Sequence, residues 1–367
     1  MGNSGINPFS CKTNTGSDDP GNSREHTGMS SALYSDASYG VVNVGNSPSL
    51  LFNNLTCNGH LGVFMKGSKV VTFQEASLSG KAVAGESLYS LKDKINGTQA
   101  KWCLIGSRYY LVCTSYSGVQ IFGDDGKTVE YVFPLKTSDI DFGGEPDGSY
   151  FTRGIAAISA TDEICVGAST GHIFVFSVSV EDGISLKDTK ASHKYAICSA
   201  CGIENVLATG DDYGNIILCD AFEDYENLCR FQGKGHPCTG LVGKNGYVVA
   251  SYASGHLRVF NIRQQSLYIE AAAHSRAIMG MDMHPSDNLF VTVGEDSILS
   301  VWSFPEENEG SSDTGTLIKI GRAMKVQFST TSDSAYFTGV QFTRNGTNTI
   351  FASVYDQDSI RYWSAQY

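Results

Sequence analysis

One short pattern recurs along this chain, and it restricts the available folds more than any other feature. An apolar strand runs into a polar or glycine-containing turn, and a second apolar strand follows that ends in a large residue. Glu163–Ser177, Val206–Asp220, Tyr247–Asn261 and Leu289–Ser303 superpose directly, Tyr110–Gly123 and Ile350–Ser364 are close variants, and Phe64–Phe73 is a weaker copy. The closing residues Phe73, Phe122, Phe176, Cys219, Phe260, Trp302 and Trp363 lie 49, 54, 43, 41, 42 and 61 residues apart. The middle spacings match the roughly 40–45-residue period of four-stranded propeller blades. A single unit cannot bury its own apolar face, so the copies must cover one another. Seven markers predict an all-β chain folded as a single seven-bladed β-propeller.

A second strand precedes each of the better copies: Gly154-IAAISA, Ala196-ICSACGI, Thr239-GLVG, Ala277-IMGMDM and Thr338-GVQF. These are rich in Gly, Ala, Ser and Cys, as required of strands that crowd around a central axis. The last copy stops at its third strand, which leaves an unpaired edge. A strand from the N-terminal side, Tyr39-GVVNV or Leu50-LFNNLTC, is expected to close the ring. Residues 1–38 are polar and lack apolar periodicity, so they read as a disordered or weakly ordered tail. The propeller is then 39–367, interrupted by an acidic mobile loop at 305–316.

Composition limits the partners. Lys and Arg number 26 against 38 Asp and Glu, a formal net charge of −12. That argues against a nucleic-acid duplex or an anionic bilayer as the main partner, because both need a basic footprint. No apolar run approaches the length of a membrane-spanning helix. The first residues lack the basic and apolar regions of a secretory signal. They resemble a myristoylation site except that Ile6 stands where Ser or Thr is required. The ten cysteines are scattered through apolar runs, as reduced cysteines are when they serve as small hydrophobes. The expected compartment is therefore the cytoplasm, and three Asn-x-Thr sequons are chance matches.

The strongest motif is in the sixth unit. His274 precedes the inner strand, Thr292 and Asp296 flank the turn, and Trp302 closes the unit. This resembles a WD repeat, and the resemblance implies that the four side chains form one buried hydrogen-bonded chain with a structural role. The other units are eroded. His193 opens the fourth, where Tyr213 and Cys219 take the later positions, and His236 opens the fifth. Taken whole, the chain is similar to the WD repeat-containing protein 54 family of single-propeller proteins. The similarity is carried by Phe151-TRGIAA, Ile164-CVGASTGHIFVF, Ala273-HSRAIMGMDM with Gly294-Glu-Asp296, Asn53-Asn-Leu55, Tyr355-Asp and Ile360-Arg-Tyr. It implies a non-catalytic adaptor or scaffold that binds other proteins. Vesicle-associated or ciliary assemblies, with the propeller as an architectural subunit, are the alternative setting.

Catalytic and metal motifs do not assemble. Cys198 and Cys201 have redox or zinc spacing, but no second pair exists, and residues three apart on a strand face opposite ways. No Walker loop, HExxH or Gly-x-Ser-x-Gly is present. A hydrolase working in the central channel is the remaining enzymatic alternative. It would need facing carboxylates, and the inner strands read above offer little beyond Asp282. The expectation is no catalytic residue, metal or cofactor. The residues that lead into the inner strands cluster on one face of such a ring. Arg153, Lys194, Tyr195, Arg276 and Tyr336 are the partner-binding candidates there, since Arg and Tyr are favoured interface anchors. Two arginines on an acidic protein suit an acidic or phosphorylated peptide.

Overall fold

Every repeat folds into an antiparallel four-stranded sheet, and seven such sheets make a closed ring. The computed structural model describes residues 33–75, 87–90, 96–135, 150–303 and 324–365. Blade 1 consists of Thr56–Cys57, Leu61–Lys66, Lys69–Gln74 and Ser87–Ser90. Blade 2 is Gly97–Ile105, Arg108–Ser115, Gly118–Phe122 and Val129–Pro134. Blades 3 and 4 run from Thr152–Ile158 to Gly183–Ala191 and from Ile197–Ile203 to Glu226–Phe231. Blades 5 and 6 run from Cys238–Lys244 to Ser266–Ala272 and from Ile278–Met283 to Lys325–Thr331. Blade 7 has Phe337–Phe342 innermost, then Ile350–Val354 and Ser359–Trp363.

All seven closing residues read from the sequence lie on third strands and are buried. Their side chains fill the space between neighbouring blades. Phe122 joins Val63, Trp102 and Leu111 between blades 1 and 2, while Trp302 joins Tyr247, Val249 and Met281 between blades 5 and 6. The second and third strands are buried along nearly their whole length, whereas the outer strands alternate. This is the pattern of a sheet covered on both faces near the axis and open at the rim. Val129, Leu186, Leu228, Leu267 and Val326 are exposed one to a blade on the outer strands of blades 2 to 6, and Tyr39 and Val41 on that of blade 7.

Small residues on the inner strands allow the blades to meet. A Cβ added to Gly202 would lie 1.9 Å from the Ala157 carbonyl oxygen of blade 3, and one on Gly280 would lie 2.9 Å from Gly339 Cα of blade 7. Neither backbone can retreat, so only glycine fits at these two points. The inner strand of blade 2 departs from this rule. It contains Lys101, Trp102 and Leu104, so small-residue composition does not mark it as an inner strand.

Tyr39–Asn43 closes the ring. It pairs antiparallel with Ser359–Trp363, Tyr39 opposite Trp363 and Asn43 opposite Ser359, and supplies the fourth strand of blade 7. The other candidate, around Leu50–Cys57, enters the central channel instead. Order also begins earlier than composition predicts. Tyr34 is 1% exposed, packs against Phe328 and Phe342 and donates from its hydroxyl to Asn348 O at 2.9 Å. One aromatic side chain with a buried partner binds a polar segment that periodicity cannot reveal. The rest of the tail, 1–32, and the acidic loop at 305–316 lie outside the described residues.

Candidate interaction face and central channel

The sixth blade shows how one face of the ring is held. Trp302 Nε1 lies 2.9 Å from Thr292 Oγ1, which lies 2.9 Å from His274 Nε2. His274 Nδ1 in turn lies 2.9 Å from Asp296 Oδ1. An indole N–H only donates, so Thr292 accepts from it, and the Asp296 carboxylate only accepts, so the histidine proton is on Nδ1. Nε2 is then the acceptor for the Thr292 hydroxyl. Burial raises the Asp296 pKa, but the hydrogen bond from His274 and those from Ser275 and Ile298 outweigh it, and the carboxyl lies below its ordinary value. Each polar group is satisfied by the next, so the chain ties the segment ahead of the inner strand to the second and third strands.

Blade 4 keeps most of this network with a displaced carboxylate. His193 Nε2 is 2.8 Å from Thr209 Oγ1, and Nδ1 is 2.9 Å from Asp211 Oδ2. Asp211, not Tyr213, fills the acidic role, and Cys219 stands at the Trp302 level without an N–H to give. The fifth-blade histidine, His236, is exposed. Blades 2, 5 and 7 hold their two inner strands by hydroxyl pairs, Thr98–Thr114 at 2.8 Å, Thr239–Ser251 at 3.0 Å and Thr338–Ser353 at 2.8 Å. In each, the first residue is the extra one of a β-bulge.

The face from which the chain runs into the inner strands, here the upper face, has an aromatic rim. Tyr195 stacks on Tyr213 with centroids 5.1 Å apart, Tyr336 meets Tyr355 at 6.4 Å, and Phe151 meets Tyr116 at 5.7 Å. Tyr116, Tyr213 and Tyr355 are 44%, 42% and 46% exposed. Lys194 and Arg276 are exposed beside this rim, and the Lys194 ammonium lies 5.6 Å from the Tyr195 ring centre. Tyr195 and Tyr336 are half-buried. Burial and a hydrogen bond to Glu295 push the Tyr336 phenol up. Arg153 differs from the other four candidates. It lies on the inner strand of blade 3, its guanidinium is 5.3 Å from the Phe52 ring centre, and its Nε is buried without a partner among the described residues. Burial pushes it below the usual arginine range. Arg153 therefore forms the wall of the channel mouth under Phe52. To the candidates Lys194, Tyr195, Arg276 and Tyr336 the structure adds Tyr116, Tyr213 and Tyr355, turn residues whose exposure on this face no repeat position marks.

The channel is closed from above by Phe52 and two asparagines. Asn53 N donates to Met279 O at 2.7 Å, its side chain donates to Thr239 O at 2.6 Å, and its Oδ1 accepts from Met281 N at 3.1 Å. Asn54 N donates to Thr338 O at 2.8 Å, and its side chain holds Ser49 O, Met65 O and Met65 N. Two adjacent residues thus fasten blades 1, 5, 6 and 7. Blade 1 has only two residues in its inner strand because the segment ahead of it crosses the channel.

Below this plug lies a cavity of ≈ 380 Å³ that opens towards the lower face. Its wall includes Gln99, Lys101, Asp282, Gln341 and Arg344. Arg344 Nη2 contacts both Asp282 oxygens at 2.8 and 2.9 Å, and Phe342 N donates to Oδ2 at 2.9 Å. The small-residue lining expected from the sequence is thus interrupted by charged groups. Asp282 is the single carboxylate among the described lining residues, so a facing acid pair for glycoside hydrolysis is not assembled there. Cys198 is the half-buried bulge residue of its inner strand, while Cys201 is buried against blade 5. Nine described cysteines are free thiols.

Seven radial four-stranded blades, the sixth locked by a complete His–Thr–Asp–Trp chain, define a WD-repeat β-propeller. The WDR54 family profile matches residues 68–366, and the chain belongs to that family. It is 29% identical over 223 residues to mouse WD repeat-containing protein 54 and 30% identical to rat WD repeat domain 54. Both matches cover 59% of this chain and 65% of the relative's length. The fold is shared with a chain in the crystal structure of the Mitotic Checkpoint Complex, at a TM-score of 0.67 and 12% identity over 97% of this chain and 98% of that one. It is shared too with Chaetomium thermophilum Raptor, at a TM-score of 0.66 and 12% identity over 89% of this chain and 29% of that one. WD-repeat propellers bind other proteins, and no helix among the described residues is long and apolar enough to cross a membrane.

Proposed function

We propose that this propeller is a non-catalytic scaffold that receives a protein segment on its upper face. The observation that carries this reading is the rim of exposed tyrosines, each braced by a second ring on the same face. Bracing lowers the entropy lost when a partner covers them, and tyrosine offers both apolar area and a hydroxyl. Lys194 and Arg276 give the rim cations, which favour an acidic or phosphorylated peptide. Arg153 supports the mouth from below. The cytoplasm is the proposed setting, where free buried thiols such as Cys113 and Cys165 stay reduced.

The test is proximity labelling in cells with wild type and a Lys194→Ala, Tyr213→Ala, Arg276→Ala variant. Loss of a reproducible set of neighbours, with the melting temperature kept, is the expected result. An unchanged neighbour set removes the upper face from consideration.

A further inference from the structure

The cavity under the asparagine plug presents hydrogen-bond donors in excess. Gln99 Oε1 accepts from Gly154 N at 3.0 Å, and Gln341 Oε1 accepts from Cys57 N at 3.0 Å. A backbone N–H can only donate, so these two bonds fix which end of each amide is oxygen. Both side-chain NH2 groups are then left without an acceptor among the described residues and open to the cavity. Lys101 projects between blades, donating to Ile155 O at 2.8 Å and Ala200 O at 3.3 Å. Two N–H groups of its ammonium are used and the third is not.

The charges point the same way. Lys101 and Arg344 face the cavity with one carboxylate, Asp282, which Arg344 and Phe342 N already hold. Among the lining residues two cations stand against one carboxylate, and the buried Glu75, outside the lining, acts on Arg344, so the charge that meets no carboxylate is that of Lys101, in a protein whose formal net charge is −12. A half-buried ammonium that meets only carbonyl dipoles is an incomplete arrangement. The volume, ≈ 380 Å³, falls in the range of small-ligand sites.

We propose that this cavity is an anion site. A carboxylate or phosphate group binds the Lys101 ammonium, and the remaining oxygens of the ligand accept from the Gln99 and Gln341 amides. The same chemistry is offered by a small free anion and by an acidic side chain inserted from the lower face, and the test separates them. Purified protein in chloride buffer is titrated, at matched ionic strength, with inorganic phosphate in one arm and a capped tetraglutamate peptide in the other. Melting temperature and titration heat are followed. A saturable response to phosphate assigns a free anion, and a response to the peptide alone assigns a side chain from a partner. In either arm, Gln341→Glu weakens binding at least ten-fold. The introduced carboxylate still accepts from Cys57 N, so folding is kept, and it repels the ligand from Lys101. Lys101→Met has the same effect, and Gln99→Glu serves should that variant not fold. Absence of a saturable response in both arms overturns the proposal, as does an equal response from wild type and Gln341→Glu.

Discussion

Asp211 and Gly294 hold the same place in two blades. Asp211 pairs across the sheet with Ile197, and Gly294 pairs with Ile278, each at the first rung between the inner and second strands. A Cβ on Gly294 would lie 2.5 Å from both Asp296 Oδ1 and His274 Nδ1. The carboxylate of blade 6 therefore occupies the space that an aspartate at the glycine position would fill. Blade 4 places its acid at that position directly. Two chain positions, two residues apart, thus deliver one carboxylate to one histidine.

That equivalence predicts a rescue. Asp296→Ala is expected to lower stability by about 1–3 kcal/mol, the cost of leaving a buried donor unsatisfied. Adding Gly294→Asp to it removes the need for Asp296 but makes the His274 ring shift away from the new Cβ, so the double variant is expected to recover a part of the loss, less than half, measured by urea denaturation. A double variant no better than the single one would contradict the equivalence.

Trp302 has two separable contributions. Trp302→Ala removes a large buried ring and is expected to cost about 3–5 kcal/mol. Trp302→Phe keeps most of the packing and withdraws only the N–H given to Thr292, at about 1 kcal/mol. Equal losses from the two substitutions would show that packing, not the hydrogen-bonded chain, sets the residue.

Acid should act through the two histidine-bound carboxylates. Burial raises their pKa values, but the hydrogen bonds from His193 and Asn215 to Asp211, and from His274 to Asp296, leave both below the ordinary aspartate range. A carboxyl depressed in the folded state stabilises it above its unfolded pKa, and this contribution fades as pH falls through the folded value. Stability is therefore expected to drop below about pH 4, with a shallower slope in Asp211→Asn. An unchanged slope between pH 5 and 2 would assign acid sensitivity to other groups.

The N-terminal side is predicted to be integral to the ring. Tyr34→Ala should cost about 3–5 kcal/mol, as for a fully buried aromatic. Deletion through Asn43 should expose the Ser359–Trp363 edge and produce concentration-dependent association, seen by light scattering. A monomeric deletion variant with an unchanged melting temperature would refute the closure.

Asn53 is the least repeat-like residue of structural weight. Its φ of 52° is left-handed, a region that asparagine tolerates better than alanine. Asn53→Ala should cost about 2–4 kcal/mol from the backbone penalty and lost hydrogen bonds. Thermal unfolding checks it, and a change under about 0.5 kcal/mol, the scale of an ordinary surface substitution, would deny the plug its role.

The chain by itself determined the number of blades, the identity of the third strands and the His274–Thr292–Asp296–Trp302 grouping. Each depends on local periodicity or on a motif whose residues share one sheet, and strand geometry projects such information straight from sequence to space. It also called for a closing strand from the N-terminal side, because an unpaired edge needs a partner, and the structure chose Tyr39–Asn43 over the segment at Leu50. Only the tertiary structure decided the carboxylate of blade 4, the burial of Tyr34, the asparagine plug and the cavity around Lys101. These join residues up to hundreds of positions apart through single side chains. Asn53 reaches Thr239, Lys101 reaches Ala200, and Gln341 reaches Cys57. No spacing rule records such contacts, because ring closure, not the repeat, brings those atoms together.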